Sequence, residues 1–180
     1  MRRIYGKIRA ALLIGCFSAI VFAGGCSGGE EADHSIISED VFKLENQEVQ
    51  IDLPNNFECI EQSTDEVVLS GDAGEVSIEY KEEGISSDQF PKSEQECAVL
   101  YEDIIGNTSY QIEEFHSYES EGLYYATIRY DLENEIKYLI ASGKFGMEYG
   151  YQISAVLNTG KRETAEEIQN AVYNVKVFTE

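Results

Sequence analysis

Four segments, residues 109–117, 123–130, 136–145 and 149–157, are short, strand-like and rich in β-branched and aromatic residues, and no more than five residues separate one from the next. A parallel crossover needs a dozen or more connecting residues, so these segments are predicted to form an antiparallel meander. In 123–130, Tyr124, Ala126, Ile128 and Tyr130 share one face, while Tyr125, Thr127 and Arg129 share the other. In 149–157, Tyr149, Tyr151, Ile153 and Ala155 fall together. Gly122 and Gly146 stand at intervening turns. This stretch limits the fold more than any other feature of the chain.

Shorter strands precede it. Val49, Ile51 and Leu53 alternate with polar residues up to Pro54, and segments 57–62, 66–70 and 75–81 continue the pattern. Asp72-Ala73-Gly74 predicts a tight hairpin between the last two. The period then changes. Cys97, Leu100, Tyr101, Ile104 and Ile105 recur at helical spacing over 93–105, with a capping-box signature at Ser93 and Glu96 and Gly106 as the stop. A second capping-box signature, Thr164 with Glu167, opens a C-terminal helix whose stripe is Ile168, Ala171, Val172 and Val175. The expected class is α+β: a largely antiparallel sheet flanked by two amphipathic helices, an α/β/α sandwich.

Charge narrows the partners. The 180 residues carry 13 basic and 34 acidic side chains, a net charge of −21. Such a surface repels phosphate backbones and anionic lipid headgroups, so nucleic acid is not an expected partner. A basic partner or bound cations fit the charge, as does solubility alone.

Residues 1–25 have a composition of their own. Arg2, Arg3, Lys7 and Arg9 precede an uncharged apolar run from Ala10 to Ala23, shorter than the roughly 18–20 residues that span a bilayer. Small residues then lead directly into a cysteine, Ala23-Gly24-Gly25-Cys26. This arrangement resembles the lipobox of bacterial lipoproteins. The resemblance implies a diacylglyceryl group on the Cys26 sulfur, cleavage before it, and acyl chains that hold the product on the extracytoplasmic face of the cell membrane. Two chains provide the stable anchoring that one cannot. Leu13-Ile14-Gly15-Cys16 has similar chemistry, but Lys7 and Arg9 leave it almost no apolar run. The alternative is an uncleaved N-terminal anchor. Cleavage would leave nine basic against 34 acidic residues, a charge of −25. Residues 26–40, small and acidic without periodicity, read as a tether with a reach on the order of 20 Å. Residues 41–180 read as a single globular domain.

The element order, with Tyr149-Gly150-Tyr151-Gln152-Ile153 leading into Ile168, Val172 and Val175, resembles the PsbP-like fold over residues 41–180. That resemblance implies an antiparallel sheet sandwiched by helices and a noncatalytic binding or assembly role. It carries over no ligand residues.

Chemistry-bearing residues are few. His34 lies in the tether, leaving His116 as the domain's one imidazole, in a strand-like segment full of glutamate. No nucleophile elbow, zinc helix or phosphate loop is present, and no catalytic, cofactor-binding or metal-binding residue is assigned. The pairs Glu113-Glu114 and Glu166-Glu167 read as solvating. Asp131-Leu132-Glu133-Asn134-Glu135 is the nearest approach to a calcium loop, without the glycine and distant glutamate of an EF-hand. Asn107-Thr108-Ser109 matches a glycosylation sequon. Cys59 and Cys97 are either two free thiols or a disulfide that would contribute roughly 3–4 kcal/mol. Tyr125, on the outer face of its strand, is a candidate contact residue.

Two functions fit: an anchored binding or assembly module with a protein partner at the cell envelope, or an extracytoplasmic hydrolase using paired carboxylates on envelope glycans. The hydrolase needs a cleft with two carboxylates roughly 5–10 Å apart. A transporter receptor would need two lobes, and this domain is long enough for one.

Overall fold

The predicted meander forms the body of the molecule. A computed structural model describes residues 40–44, 47–54 and 56–179, all within the unit Ile37–Glu180. The signal-like segment, Cys16, Cys26 and His34 lie outside the described residues, as does all of the tether but Asp40. In chain order the elements are β1 (Asp40–Leu44), β2 (Gln47–Ile51), β3 (Glu58–Gln62), β4 (Glu66–Gly71), β5 (Gly74–Lys81), α1 (Glu94–Leu100), α2 (Glu102–Ile105), β6 (Tyr110–Tyr118), β7 (Leu123–Leu132), β8 (Glu135–Lys144), β9 (Gly150–Leu157), α3 (Arg162–Tyr173) and β10 (Lys176–Thr179). Seven strands form one antiparallel sheet in the order β3-β4-β5-β9-β8-β7-β6. The fold is α+β, as the sequence pattern predicts.

Each face of this sheet carries its own core. On one, α3 sets Ala165, Ile168, Ala171 and Val172 against Val76 and Ile78 of β5, Ile140 of β8 and Ile153 and Ala155 of β9. On the other, Cys97, Ala98, Tyr101 and Ile105 of the α1–α2 segment cover Tyr124, Ala126, Ile128 and Tyr130 of β7 and Leu139 and Ala141 of β8. Full burial of one such aliphatic or aromatic side chain stabilises by roughly 1.5–3 kcal/mol. Tyr124 and Phe90 pack with ring centroids 4.8 Å apart over Gly143, where a Cβ would come within 2.5 Å of both rings.

Several sequence expectations need correction. The helix over 93–105 is two pieces meeting at Tyr101, which caps both. Ser93 accepts from the Glu96 amide as predicted, but the Glu96 carboxylate turns to the Lys92 amide instead of closing the box. Gly106 ends α2 at φ 63°. In the C-terminal helix Thr164 is internal, since α3 begins at Arg162 with Lys161 as an N-cap that offers no side-chain bond. Val175 lies beyond α3, just before β10, which pairs with β2. With β1 these strands make a second, three-stranded sheet, β1-β2-β10. Its Val49 and Ile51 join the α3-side core.

Residues Asp131 to Glu135 hold a hairpin turn. Leu132 pairs with Glu135, and the two residues between them, Glu133 and Asn134, have φ of 56° and 67°. Positive φ at both central positions is the signature of a type I′ turn, whose twist suits the flanking strands. Thr108 of the sequon uses its hydroxyl to close the end of α2, donating to the Ile105 carbonyl at 2.6 Å.

Two predictions follow from this architecture. Glutamate is a costly residue in the left-handed region, so the double substitution Glu133→Asn, Asn134→Gly should stabilise by about 1 kcal/mol and raise Tm by about 3–5 °C. A calorimetric Tm that falls would contradict the turn assignment.

The second prediction concerns pH. Burial, aided by Glu94, pushes the Cys97 thiol from 9.0 up to about 12. Burial likewise pushes Tyr151 from 10.0 up to about 12 and raises Tyr101 and Tyr124 above 10.0. Above pH 9–10 the unfolded chain therefore holds fewer protons than the folded one. Stability is whole below about pH 9 and falls as pH rises toward 12, by up to roughly 1.4 kcal/mol per pH unit for each group. Tyrosinate absorbance and circular dichroism should change together in one alkaline transition. Free titration of all twelve tyrosines with the dichroism intact would refute it.

Candidate functional site

Where α3 crosses the outer strands of the sheet it leaves a groove of about 120 Å³, lined by Glu113, Glu114, Thr127, Tyr138, Arg162, Ala165, Glu166 and Gln169. Pockets that enclose a small-molecule ligand run to roughly 300–1,000 Å³, so this one fits the end of a side chain rather than a cofactor or a sugar ring.

Adjacent strand residues normally point to opposite faces, yet Glu113 and Glu114 both reach the groove. A β-bulge explains it. Ile112 pairs with Ile128 and Glu114 with Thr127, so Glu113 is the extra residue. Ile112 and Phe115 stay on the α1 side, against its core. Bulges redirect side chains in this way and are common beside functional sites.

A directed chain of hydrogen bonds fixes Glu114. The Thr127 hydroxyl donates to Gln169 Oε1 at 3.1 Å, so the Tyr173 hydroxyl, 2.8 Å from Thr127 Oγ1, donates to Thr127. Gln169 Nε2 then donates to Glu114 Oε2 at 2.7 Å. The other carboxylate oxygen lies 3.2 Å from His116 Nε2. Thr127 is only 2% exposed, which makes its two partners necessary rather than incidental. At the mouth, Arg162 Nε donates to Glu166 at 2.8 Å, one turn along α3. Glu166 first, and Glu113 beside it, hold the guanidinium charge more firmly than in water.

A row of rings leads away from the groove. His116 stacks on Tyr118 at 5.9 Å, Tyr118 meets Tyr125 edge-on at 6.3 Å, and Tyr125 lies 4.9 Å from Tyr173. His116 is exposed in an acidic strand, as expected from the sequence, and Tyr125 is a partly exposed member of a larger aromatic surface. The sequence reading of Glu113-Glu114 as merely solvating missed the groove, because the bulge that brings both residues to it leaves no mark in the pattern.

The remaining candidates do not join this site. Cys59 and Cys97 are free thiols, not a disulfide. Cys59 is exposed on edge strand β3, whereas Cys97 is buried against β7 and β8. At about 4.8 Å per strand they are too far apart for a bond that needs Cα atoms within about 7 Å. Glu167 points to solvent on α3. Among the described residues, no three His, Cys, Asp or Glu side chains are grouped to hold a metal ion, and no helix is long and apolar enough to cross a membrane. Glu114 and Glu166 are 36% and 57% exposed, and each holds a donor.

Replacing Gln169 with leucine leaves the Thr127 hydroxyl without its acceptor and Glu114 without its donor. Urea unfolding of Gln169→Leu should show a loss of about 1–3 kcal/mol, against less than about 0.5 kcal/mol for the exposed neighbour Glu167→Gln. Equal, small effects would mean that the chain does not brace the groove.

No protein-family model and no curated protein matches this sequence. Its structure does have counterparts. The solution structure of cyanobacterial PsbP (CyanoP) from Synechocystis sp. PCC 6803 aligns over 83% of this chain and 98% of that one, with a TM-score of 0.51 and 13% identity. A crystal structure from Bacteroides thetaiotaomicron VPI-5482 aligns over 73% of this chain and 46% of that one, with a TM-score of 0.41 and 10% identity. With CyanoP the correspondence spans nearly the whole of the solved chain, and the fold described above is PsbP-like.

Proposed function

We propose that this protein is a bacterial lipoprotein, held on the extracytoplasmic face of the cell membrane by lipid on Cys26, whose PsbP-like domain is a noncatalytic binding or assembly module. The anchoring half rests on the basic start, the apolar run and the small residues that lead into Cys26. The binding half is carried by one observation: a groove of about 120 Å³ bordered by carboxylates that are held by Gln169, His116 and Arg162. Side chains braced before contact lose little entropy on binding, which favours recognition. The net charge of the processed chain, −25, favours a basic partner over nucleic acid or an anionic lipid surface.

Mass spectrometry of the native protein tests the anchor. The expected N-terminus is Cys26 carrying diacylglycerol, with labelled palmitate incorporated by the wild type and not by Cys26→Ser. A protein that begins at Met1 with a free thiol at Cys26 refutes the anchor. Cross-linking on intact membranes tests the module: one defined protein should be recovered above a matched lipoprotein control, and none recovered counts against it.

A further inference from the structure

The row of rings beside the groove, exposed at His116 and Tyr118, defines what such a partner would present. We propose that the row His116, Tyr118, Tyr125 and Tyr173 seats a cationic side chain, lysine or arginine, from a basic segment of the partner protein. The proposal rests on the binding-module reading and names its contact site.

Three independent features of this surface favour positive charge. The first is the aromatic row itself. Its rings stand 4.9–6.3 Å from one another, and its outer members, His116 and Tyr118, are 49% and 43% exposed. A cation over a tyrosine ring is attracted by the ring quadrupole, and guanidinium groups stack there readily. The second is two carboxylates beside the rings. Glu114 lies beside His116, and Glu121, in the β6–β7 turn, is close enough to add to the burial that raises the Tyr125 hydroxyl pKa. The third is the end of α3. Tyr173 is its last residue, and the last turn holds no basic side chain to answer the negative end of the helix dipole.

A lysine already meets a tyrosine elsewhere on this side of the sheet, through the phenol oxygen. Lys144 Nζ lies 4.4 Å from the centroid of the Tyr149 ring and donates to its hydroxyl at 2.6 Å. Lys144 pairs across the sheet with Tyr151 on the α3 face. The site lies open laterally because β6 is an edge strand, so an extended segment can approach it without displacing any element.

Binding of an oligo-arginine peptide, followed by amide chemical shifts of the folded protein, tests the proposal. Shifts should concentrate at His116, Tyr118, Glu121 and Tyr125. Tyr118→Ala combined with Tyr125→Leu removes no charge yet should weaken binding by about tenfold. Glu58→Gln with Glu61→Gln on exposed β3 removes two charges far from the rings and should change it by less than about twofold. Tyr118→Ala alone, which alters an exposed ring, should melt as the wild type does and still bind more weakly, so that lost binding is separated from lost folding. Shifts scattered over the acidic surface, equal losses in the two double variants, or neutral glycan fragments binding the same rings would each overturn it. Cross-linking separates this site from the broader reading. A partner captured equally by wild type and Tyr118→Ala sinks the site and leaves the module standing, whereas no partner for the wild type sinks the module.

Discussion

Strand β8 is the constraint on which the rest of the structure depends. Tyr138, Leu139, Ile140, Ala141 and Ser142 are consecutive and all buried, so this strand has no solvent face. A strand buried on both sides must be covered on both sides, and the chain supplies α1–α2 for one and α3 for the other. The polar exceptions on the α3 face are satisfied by the helix that covers them. Ser142 donates to the Val172 carbonyl at 2.9 Å, and Thr127 is held between Gln169 and Tyr173. These bonds fix the register of α3 on the sheet, and that register places Arg162, Glu166 and Gln169 at the groove. The site is thus a by-product of how β8 is buried.

This explains why the meander was legible in the sequence and its surroundings were not. Alternation in 123–130 assigns Tyr124, Ala126, Ile128 and Tyr130 to one core, and that is where they lie. Connections of a few residues force antiparallel pairing whatever else the chain does. The second sheet depends on contacts remote in sequence. Strand β10 is four residues long and pairs with β2, more than a hundred positions earlier, so no local pattern announces it. Placing Val175 on the helical stripe was the consequence: periodicity alone could not show that α3 ends at Tyr173.

Local chemistry also misled where a motif had two uses. Thr164 and Glu167 have the spacing of a capping box, but α3 starts two residues before Thr164, because docking on β8 and β9 rather than a cap decides where it begins. Asp131 to Glu135 is acidic because it is a surface turn, not because it gathers ligands. At the candidate site the residue types were visible and their convergence was not. Glu113-Glu114, His116 and Tyr125 can each be named from sequence, but it takes the pairing of β6 with β7 to set His116 against Tyr125, and the bulge and the crossing of α3 to bring Glu113 beside Glu114.

On the proposed binding role, charge and rings would divide the work of recognition. Charges on this surface are felt over a Debye length of roughly 8 Å at physiological salt, so the acidic excess as a whole would steer the proposed basic partner during encounter and set how fast the two meet. Steering cannot choose a position, since acidic residues are spread over the surface. A position is chosen by a contact that survives screening, and the proposed seating on the aromatic row would be one: a cation over a ring is partly desolvated and holds its attraction at short range. Affinity differences among related complexes lie mainly in how slowly they part. Salt should therefore alter the rate of association with this domain far more than the place where the partner comes to rest.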